Sequence, residues 1–491
     1  MTMHGDVVIV GGGIAGSALA LVLARRGASV TVLERQQDYA DRVRGEYVHP
    51  WGVAEAQQLG LVDILLAARG VFVTRGIGYD ESIPSGAAEA RARDVTTMVP
   101  GVAGGLGVGH PAACCALSQA AEAAGARYWR GASKVSVMAG AYPAVAFETD
   151  GGVQQVQCRL VVGADGRNST VRSQAGIQLR GAEPTHLFSG MLVGDVSEWP
   201  QDTYATASEG EVQCQIFPQG EKRVRLYTTT APDQRRRYDG GPAGRARFLG
   251  DFRGMRCMPL AQCLADGTPL GPCATFAGED TWADVPFVEG VVLIGDAAGY
   301  NDPLIGQGLS LALRDARVLS EILVTTERWS PESLWPYGEE RRKRVQRVRF
   351  TAALMADLYG SFGPGAPARR RRFLSRLADP DFRGRALLAS LAVGPDRSPE
   401  WAYTEHFRKE VLGMTLGTGT RLTTPSTGPL ARLRSPRPVT AAFGGGPSEG
   451  VVIALRMGSR QGGGEPRPTW RVVRGSSNGI PRYLVGDRLR P

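Results

Sequence analysis

The sequence predicts an α/β protein: a parallel sheet wound with helices, interrupted by a mostly antiparallel insertion and followed by helices and an irregular tail. Three observations predict it. Residues 7–10 and 291–294 are apolar, largely β-branched runs, the composition of strands buried on both faces, and residues 156–162 read as a further strand. The first runs straight into Gly11-Gly12-Gly13-Ile14-Ala15-Gly16 and an Ala/Leu-rich helix. Residues 181–288, by contrast, alternate over short stretches separated by turn residues, as antiparallel strands do.

In chain order, residues 17–26 form the first helix, Gly27 ends it, and residues 28–33 form a second strand that closes on Glu34. This is a βαβ unit with glycines at G-x-G-x-x-G and an acid about twenty residues on, the Rossmann-like pattern. The glycines let backbone approach a pyrophosphate, the helix N-terminus offers unpaired N–H groups, and Glu34 can accept from a ribose diol. Residues 7–24 carry no charge and approach the length of a membrane span. Three consecutive glycines, with Asp6 before them and Glu34 after, exclude that reading and a signal peptide.

Arg42 and Arg44 lie two apart, so on an extended segment both point to one side, where they can reach the pyrophosphate. Pro50 opens a helix over 52–59. Residues 104–109 are glycine-rich but lack a strand-to-helix context, so no second dinucleotide site is expected. His110-Pro111 starts a helix through 123, with His110 as a capping or packing residue. Residues 131–148 alternate like strands. Residues 156–162 end in Gly163-Ala164-Asp165-Gly166, which sets an acid at the carboxyl edge of the sheet, where α/β folds bind ligands.

Within 181–288, residues 212–217 and 224–229 flank a Pro218-Gln219-Gly220 turn and can wall a pocket, with Tyr47, Trp51, Tyr227, Tyr300 and Asn301 as further lining candidates. Strand 290–294 meets Gly295-Asp296-Ala297-Ala298-Gly299, then Pro303, then Gly306-Gln307-Gly308 and a helix over 309–325. Such a helix start stabilises negative charge by about 0.3–1 kcal/mol when exposed and by up to ~2 when partly buried. Residues 339–358 form another helix, and Arg369-Arg370-Arg371-Arg372 reads as a solvated face.

The formal charge of +9 is not spread over the molecule. Residues 413–491 hold twelve arginines, no lysine and three acids, which leaves the rest balanced at 45 basic and 45 acidic residues. That Arg/Gly/Pro-rich stretch reads as a disordered tail, and any case for nucleic acid or an anionic surface rests on it alone. The seven scattered cysteines contain no C-x-x-C, so no zinc knuckle or redox dithiol is expected, and free thiols fit a cytoplasmic protein.

Together, Gly11-x-Gly13-x-x-Gly16 with Glu34, Asp165-Gly166, and Gly295-Asp296 followed by Pro303 and Gly306-Gln307-Gly308 resemble the single-component FAD-dependent aromatic hydroxylases typified by para-hydroxybenzoate hydroxylase, over about residues 5 to 350. The resemblance implies that the Rossmann-like domain, placed at residues 1–180 and 289–412, binds FAD and that the inserted sheet at 181–288 covers the substrate; the tail from 413 lies beyond it. It implies that Gly11, Gly13, Ala15 and Gly16 hold the pyrophosphate and Glu34 the adenosine ribose. Arg35 and Arg44 lie in the similar Leu33-Glu34-Arg35-Gln36…Arg42-x-Arg44 pattern, with Arg44 reaching the pyrophosphate. Val135 passes near the adenine, Asp165 sits under the turn, and Asp296 bonds the ribityl chain. Pro303 lies at the reactive ring edge, and Gly306, Gln307 and Gly308 face the pyrimidine end.

The implied reaction uses NAD(P)H and O2 to hydroxylate or epoxidise a small aromatic or polycyclic compound through a flavin hydroperoxide, with no metal, no protein nucleophile and no catalytic residue assigned. Two features depart from the hydroxylases. Gly299 stands where they often carry His, and Gly-Asp-Ala-Ala-Gly also resembles the geranylgeranyl reductases, so an FAD-dependent reductase is the alternative. The halogenases' Trp-x-Trp-x-Ile-Pro segment is absent.

Overall fold

The computed structural model describes residues 3–43 and 45–414. Arg44 and residues 415–491, which hold one expected cofactor contact and nearly all of the expected tail, lie outside the described residues.

A six-stranded sheet carries the first three motifs. Its order is Phe287–Val288, Val291–Leu293, Leu160–Gly163, Val7–Val10, Val30–Glu34, Arg127–Arg130, parallel except for the hairpin at its first edge. Val7–Val10 is buried along its whole length, as a four-residue apolar strand in the middle of a covered sheet must be. Alternation sends Val7, Ile9, Val30 and Val32 into the core beneath the helices, which include Ile14–Arg25 and Gly308–Thr325. Val8, Val10, Val161 and Val291 face the opposite way, onto Val145, Phe147 and Val156 of a four-stranded sheet. The strand order has one consequence for function. The carboxyl ends of Val7–Val10, Leu160–Gly163 and Val291–Leu293 are adjacent, so turns more than 280 residues apart in sequence meet in space.

The second large sheet has eight strands. Leu187–Gly194, Val224–Thr230, Val212–Pro218 and Thr203–Glu209 form its antiparallel middle, and Arg75–Asp80 pairs parallel to the last of them. Its outer face buries Met191, Cys214, Ile216 and Leu226 against Phe248, Phe252 and Leu264 of the helices Pro242–Arg253 and Ala261–Ala265. Residues 181–288 supply six strands, and the other two, Arg75–Asp80 and Arg93–Asp94, come from before that stretch. Gly76 and Gly78 weaken the strand signal there. Tyr204 lies so close over Gly76 that a Cβ would come within 2.4 Å of its ring.

Two further expectations are corrected. The helix expected from 339 begins at Pro331, with Pro336 inside it obscuring the start. Arg370 of the four-arginine run is not solvated: it is 1% exposed and reaches Asp80 and Glu81, each at 2.6 Å. Among the described residues, no helix is long and apolar enough to cross a membrane.

Candidate cofactor and substrate site

One cavity of about 490 Å³ is lined both by the turns of the six-stranded sheet and by the inner face of the eight-stranded sheet. The three motif glycines differ in what they do. A Cβ on Gly11, which has φ +105°, would lie 2.3 Å from the Ala164 carbonyl oxygen, and one on Gly16 would lie 2.0 Å from the Gly11 oxygen. These two are needed for protein to pass protein. Gly13 lines the cavity and has nothing within 4 Å of its Cβ position, so that its backbone is open to a ligand.

Glu34 is buried at the strand end, where Oε2 accepts the Gly12 N–H at 2.8 Å and Oε1 the Gln36 N–H at 2.9 Å. It therefore fastens the glycine loop and keeps further lone pairs for a ligand. The Tyr39 hydroxyl donates to the Gly12 carbonyl at 2.6 Å. Asp165 lines the cavity, but its carboxylate holds the turn: Oδ1 accepts the Ser169 hydroxyl at 2.5 Å and Oδ2 the N–H groups of Thr170 and Val171 at 2.7 and 3.1 Å. Asp296 stays partly exposed, with Arg167 Nε 3.5 Å away.

The turn at 295–299 is held from behind by groups that sequence reasoning missed. Asp315, fully buried, accepts the Gly295 N–H at 2.8 Å, Arg341 Nε at 3.1 Å and Arg344 Nη2 at 2.7 Å. Arg341 also donates to the carbonyls of Gly295, Ala298 and Gly299, each at 3.1 Å. Burial alone would raise the Asp315 carboxyl, and the two guanidiniums outweigh it and hold it below the usual range. The only sequence signal was an acid at helical spacing from Gly308 and two arginines three residues apart on a later helix.

Gly11, Gly13, Ala15, Glu34, Arg35, Val135, Asp165, Asp296, Pro303, Gly306 and Gly308 all line this one cavity, together with Tyr47, Tyr227, Tyr300 and Asn301. Three expected residues do not. Gly16 lies behind the loop, as its contact with Gly11 requires. The Gln307 side chain turns away: Oε1 accepts the Trp51 indole N–H at 2.7 Å, and Nε2 donates to the carbonyls of Ile305 and Leu391 at 3.1 and 3.2 Å. Trp51 goes with it. His49, kept neutral by burial that lowers it to about 4, donates through Nε2 to the Ile305 carbonyl at 2.9 Å. Among the described residues no side chain caps the helix Gly308–Thr325, so its first N–H groups are open to a ligand. The walls also include Phe188, Phe217, Phe276 and Gln215, whose Nε2 donates to the Leu304 carbonyl at 3.0 Å, and Glu46, which no sequence pattern singled out.

Adjacent strand-end turns built for a dinucleotide, closed over by a second sheet with an aromatic face, define a flavin-type nucleotide-binding oxidoreductase. Residues 4–351 match the sequence model of the FAD binding domain family, and the chain belongs to that family. It is an FAD-dependent oxidoreductase. It is 27% identical over 394 residues to a rifampicin monooxygenase of Rhodococcus hoagii, covering 76% of this chain and 75% of that one. It is also 27% identical over 350 residues to digeranylgeranylglycerophospholipid reductase 2 of Methanothermobacter thermautotrophicus, covering 65% and 78%. Among solved structures, p-nitrophenol 4-monooxygenase PnpA of Pseudomonas putida DLL-E4 superposes with a TM-score of 0.66 at 20% identity, covering 80% of this chain and 99% of that one.

Proposed function

We propose that the protein hydroxylates or epoxidises a small aromatic or polycyclic molecule, using NAD(P)H and O2, with the substrate held against the inner face of the eight-stranded sheet. The observation that carries this reading is the single cavity shared by the nucleotide turns and the aromatic walls. When bound, FAD supplies electron transfer from NAD(P)H to O2; the chain supplies binding, orientation and the exclusion of water.

In this reading the open backbone at Gly13, with Ala15, takes the pyrophosphate, while Gly11 and Gly16 allow that loop to form. Glu34 takes the adenosine ribose with its spare lone pairs, Arg35 and Val135 flank the adenine end, and Asp165 braces the turn. Asp296 bonds the ribityl chain, and Pro303 borders the reactive ring edge. Gly306 and Gly308 leave the uncapped helix start facing the ring, where it stabilises negative charge with water scarce. Residues 181–288, with the strands at 75–94, form the substrate side, and residues 1–180 and 289–412 the cofactor side. The free cysteines among the described residues suit a cytoplasmic setting.

Measuring O2 uptake against NAD(P)H oxidation and product is the test. Coupled consumption with one oxygen atom in the product is expected. Product formed equally well without O2 would replace this reading with the reductase one, which the similarity to digeranylgeranylglycerophospholipid reductase 2 motivates.

A further inference from the structure

The stretch from Asn301 to Gln307, which the proposed function sets beside the cofactor ring, is held by side chains from distant parts of the chain. His49 and Trp51 grip its far end, at the Ile305 carbonyl and the Gln307 side chain. Its near end is gripped from the substrate sheet. Gln215, on Val212–Pro218, donates to the Leu304 carbonyl at 3.0 Å. His186, one residue before Leu187–Gly194, places Nε2 3.1 Å from Asp302 Oδ1. That same oxygen accepts the Leu304 N–H at 2.9 Å and so caps the turn Pro303–Ile305. With Oδ1 accepting, the imidazole is the donor, and its Nδ1 is left to accept from the Thr185 hydroxyl at 3.1 Å.

The surroundings of this side chain are shaped to an imidazole. His186 is 0% exposed, and its ring meets Phe188 edge-on with centroids 5.3 Å apart. A Cβ on Gly278 would lie 2.5 Å from Nε2, and one on Gly360 would lie 3.0 Å from Nδ1. Neither glycine has a positive φ, so what the two supply is room. His186 does not itself line the cavity, but the residues it joins do: Phe188 on the substrate wall and, one residue past Asp302, Pro303. It therefore sits at the joint between two walls of one reaction cavity, where a misplacement of about 1 Å can cost ~10²-fold in rate.

We propose that His186 is a positioning residue for the cofactor ring: by holding Asp302 it fixes the Pro303 turn against the start of the substrate sheet. This rests on the reading that the reactive ring edge lies at Pro303.

The test compares two amides. Glutamine carries its side-chain nitrogen where histidine has Nε2, and asparagine carries its nitrogen where histidine has Nδ1. His186→Gln thus keeps the donor to Asp302, and His186→Asn loses it. The FAD-loaded full chain of each, without NAD(P)H, is measured for flavin-to-protein ratio, thermal midpoint, and visible absorbance and circular dichroism per bound FAD. Both variants are expected to lose some thermal stability. Only His186→Asn should shift the FAD bands and change their dichroism, while His186→Gln keeps the wild-type values. A histidine that serves stability alone would lower the midpoint and leave the bands of the retained FAD in place. Bands that stay put in both variants, or that shift equally in both, overturn the proposal. Should His186→Asn fail to hold FAD, Asp302→Asn weakens the same contact from the other side while still accepting the Leu304 N–H. It should shift the bands too, and unshifted bands there overturn the proposal equally. Pro303→Gly separates the proposal from the reading beneath it. Bands that move in Pro303→Gly but not in His186→Asn remove the positioning role alone. Bands that move in neither put the ring away from this turn, and both fall. Uncoupled O2 uptake with the contrast between the amides intact removes only the oxidation reading.

Discussion

Asp315 does not itself line the cavity, yet three donors from two elements converge on its buried carboxylate: Gly295 of the motif turn, and Arg341 and Arg344 of the helix Pro331–Met355. Asp315→Asn would leave two buried guanidiniums short of their counter-charge, a change that typically costs about 3–5 kcal/mol. The expected outcome is a lower thermal midpoint and weaker FAD retention, read from flavin content after gel filtration. The sign with pH follows from the depressed carboxyl: its contribution to stability is fully present above the unfolded value near 3.8 and is lost as pH falls through the lower folded value. The motif glycines separate in the same way by what lies around them. Gly13→Ala meets nothing within 4 Å, so it should fold with an unchanged apoprotein midpoint and bind FAD at least about ten-fold more weakly because the methyl group intrudes on the ligand. Gly16→Ala drives a methyl group to 2.0 Å from the Gly11 oxygen and should cost about 1–3 kcal/mol of stability even without cofactor. Equal midpoints for the two variants would show that the glycines are not divided between protein contact and ligand contact.

At the scale of elements, the helix Gly308–Thr325 is the part whose dipole the proposed chemistry uses. Leu309 lies in its first turn and lines the cavity. Leu309→Asp would place a negative charge where the reduced cofactor gains one, and the flavin midpoint potential should fall by about 10–40 mV, measured by dye-coupled titration. An unchanged potential would mean that this terminus does not face the ring. This helix, the first βαβ unit and the helix His110–Ala123 were all legible in the sequence, because each pairs a clear period with a chemical start signal: glycines, or Pro in the first turn. What stayed hidden depends on partners far along the chain. Arg75–Asp80 reads as Gly-interrupted until Thr203–Glu209 pairs with it. Arg370 reads as solvated until Asp80, 290 residues away, meets it. Glu46 is one acid in a loop until Arg225 and Tyr227 arrive from a strand of the other sheet.

Across the whole molecule, charge and site separate cleanly along the chain. Every residue lining the cavity falls between Val10 and Ala312, and the side chains that brace its turns extend only to Arg344, with Leu391 reached through Gln307. The entire formal charge of +9 comes from residues 413–491, so a chain ended at Met414 is formally neutral. Such a chain should keep its flavin-to-protein ratio, its thermal midpoint and its coupling of O2 uptake to NAD(P)H oxidation. Its retention on a cation-exchange matrix at neutral pH should drop sharply, because the electrostatic attraction scales with the charge removed. The two readouts answer different questions. Retention that survives truncation would mean that a basic patch exists within residues 1–414 despite their balanced charge. Loss of flavin on truncation would mean that residues beyond 414 take part in holding the cofactor, and the site as bounded by the two sheets would then be incomplete.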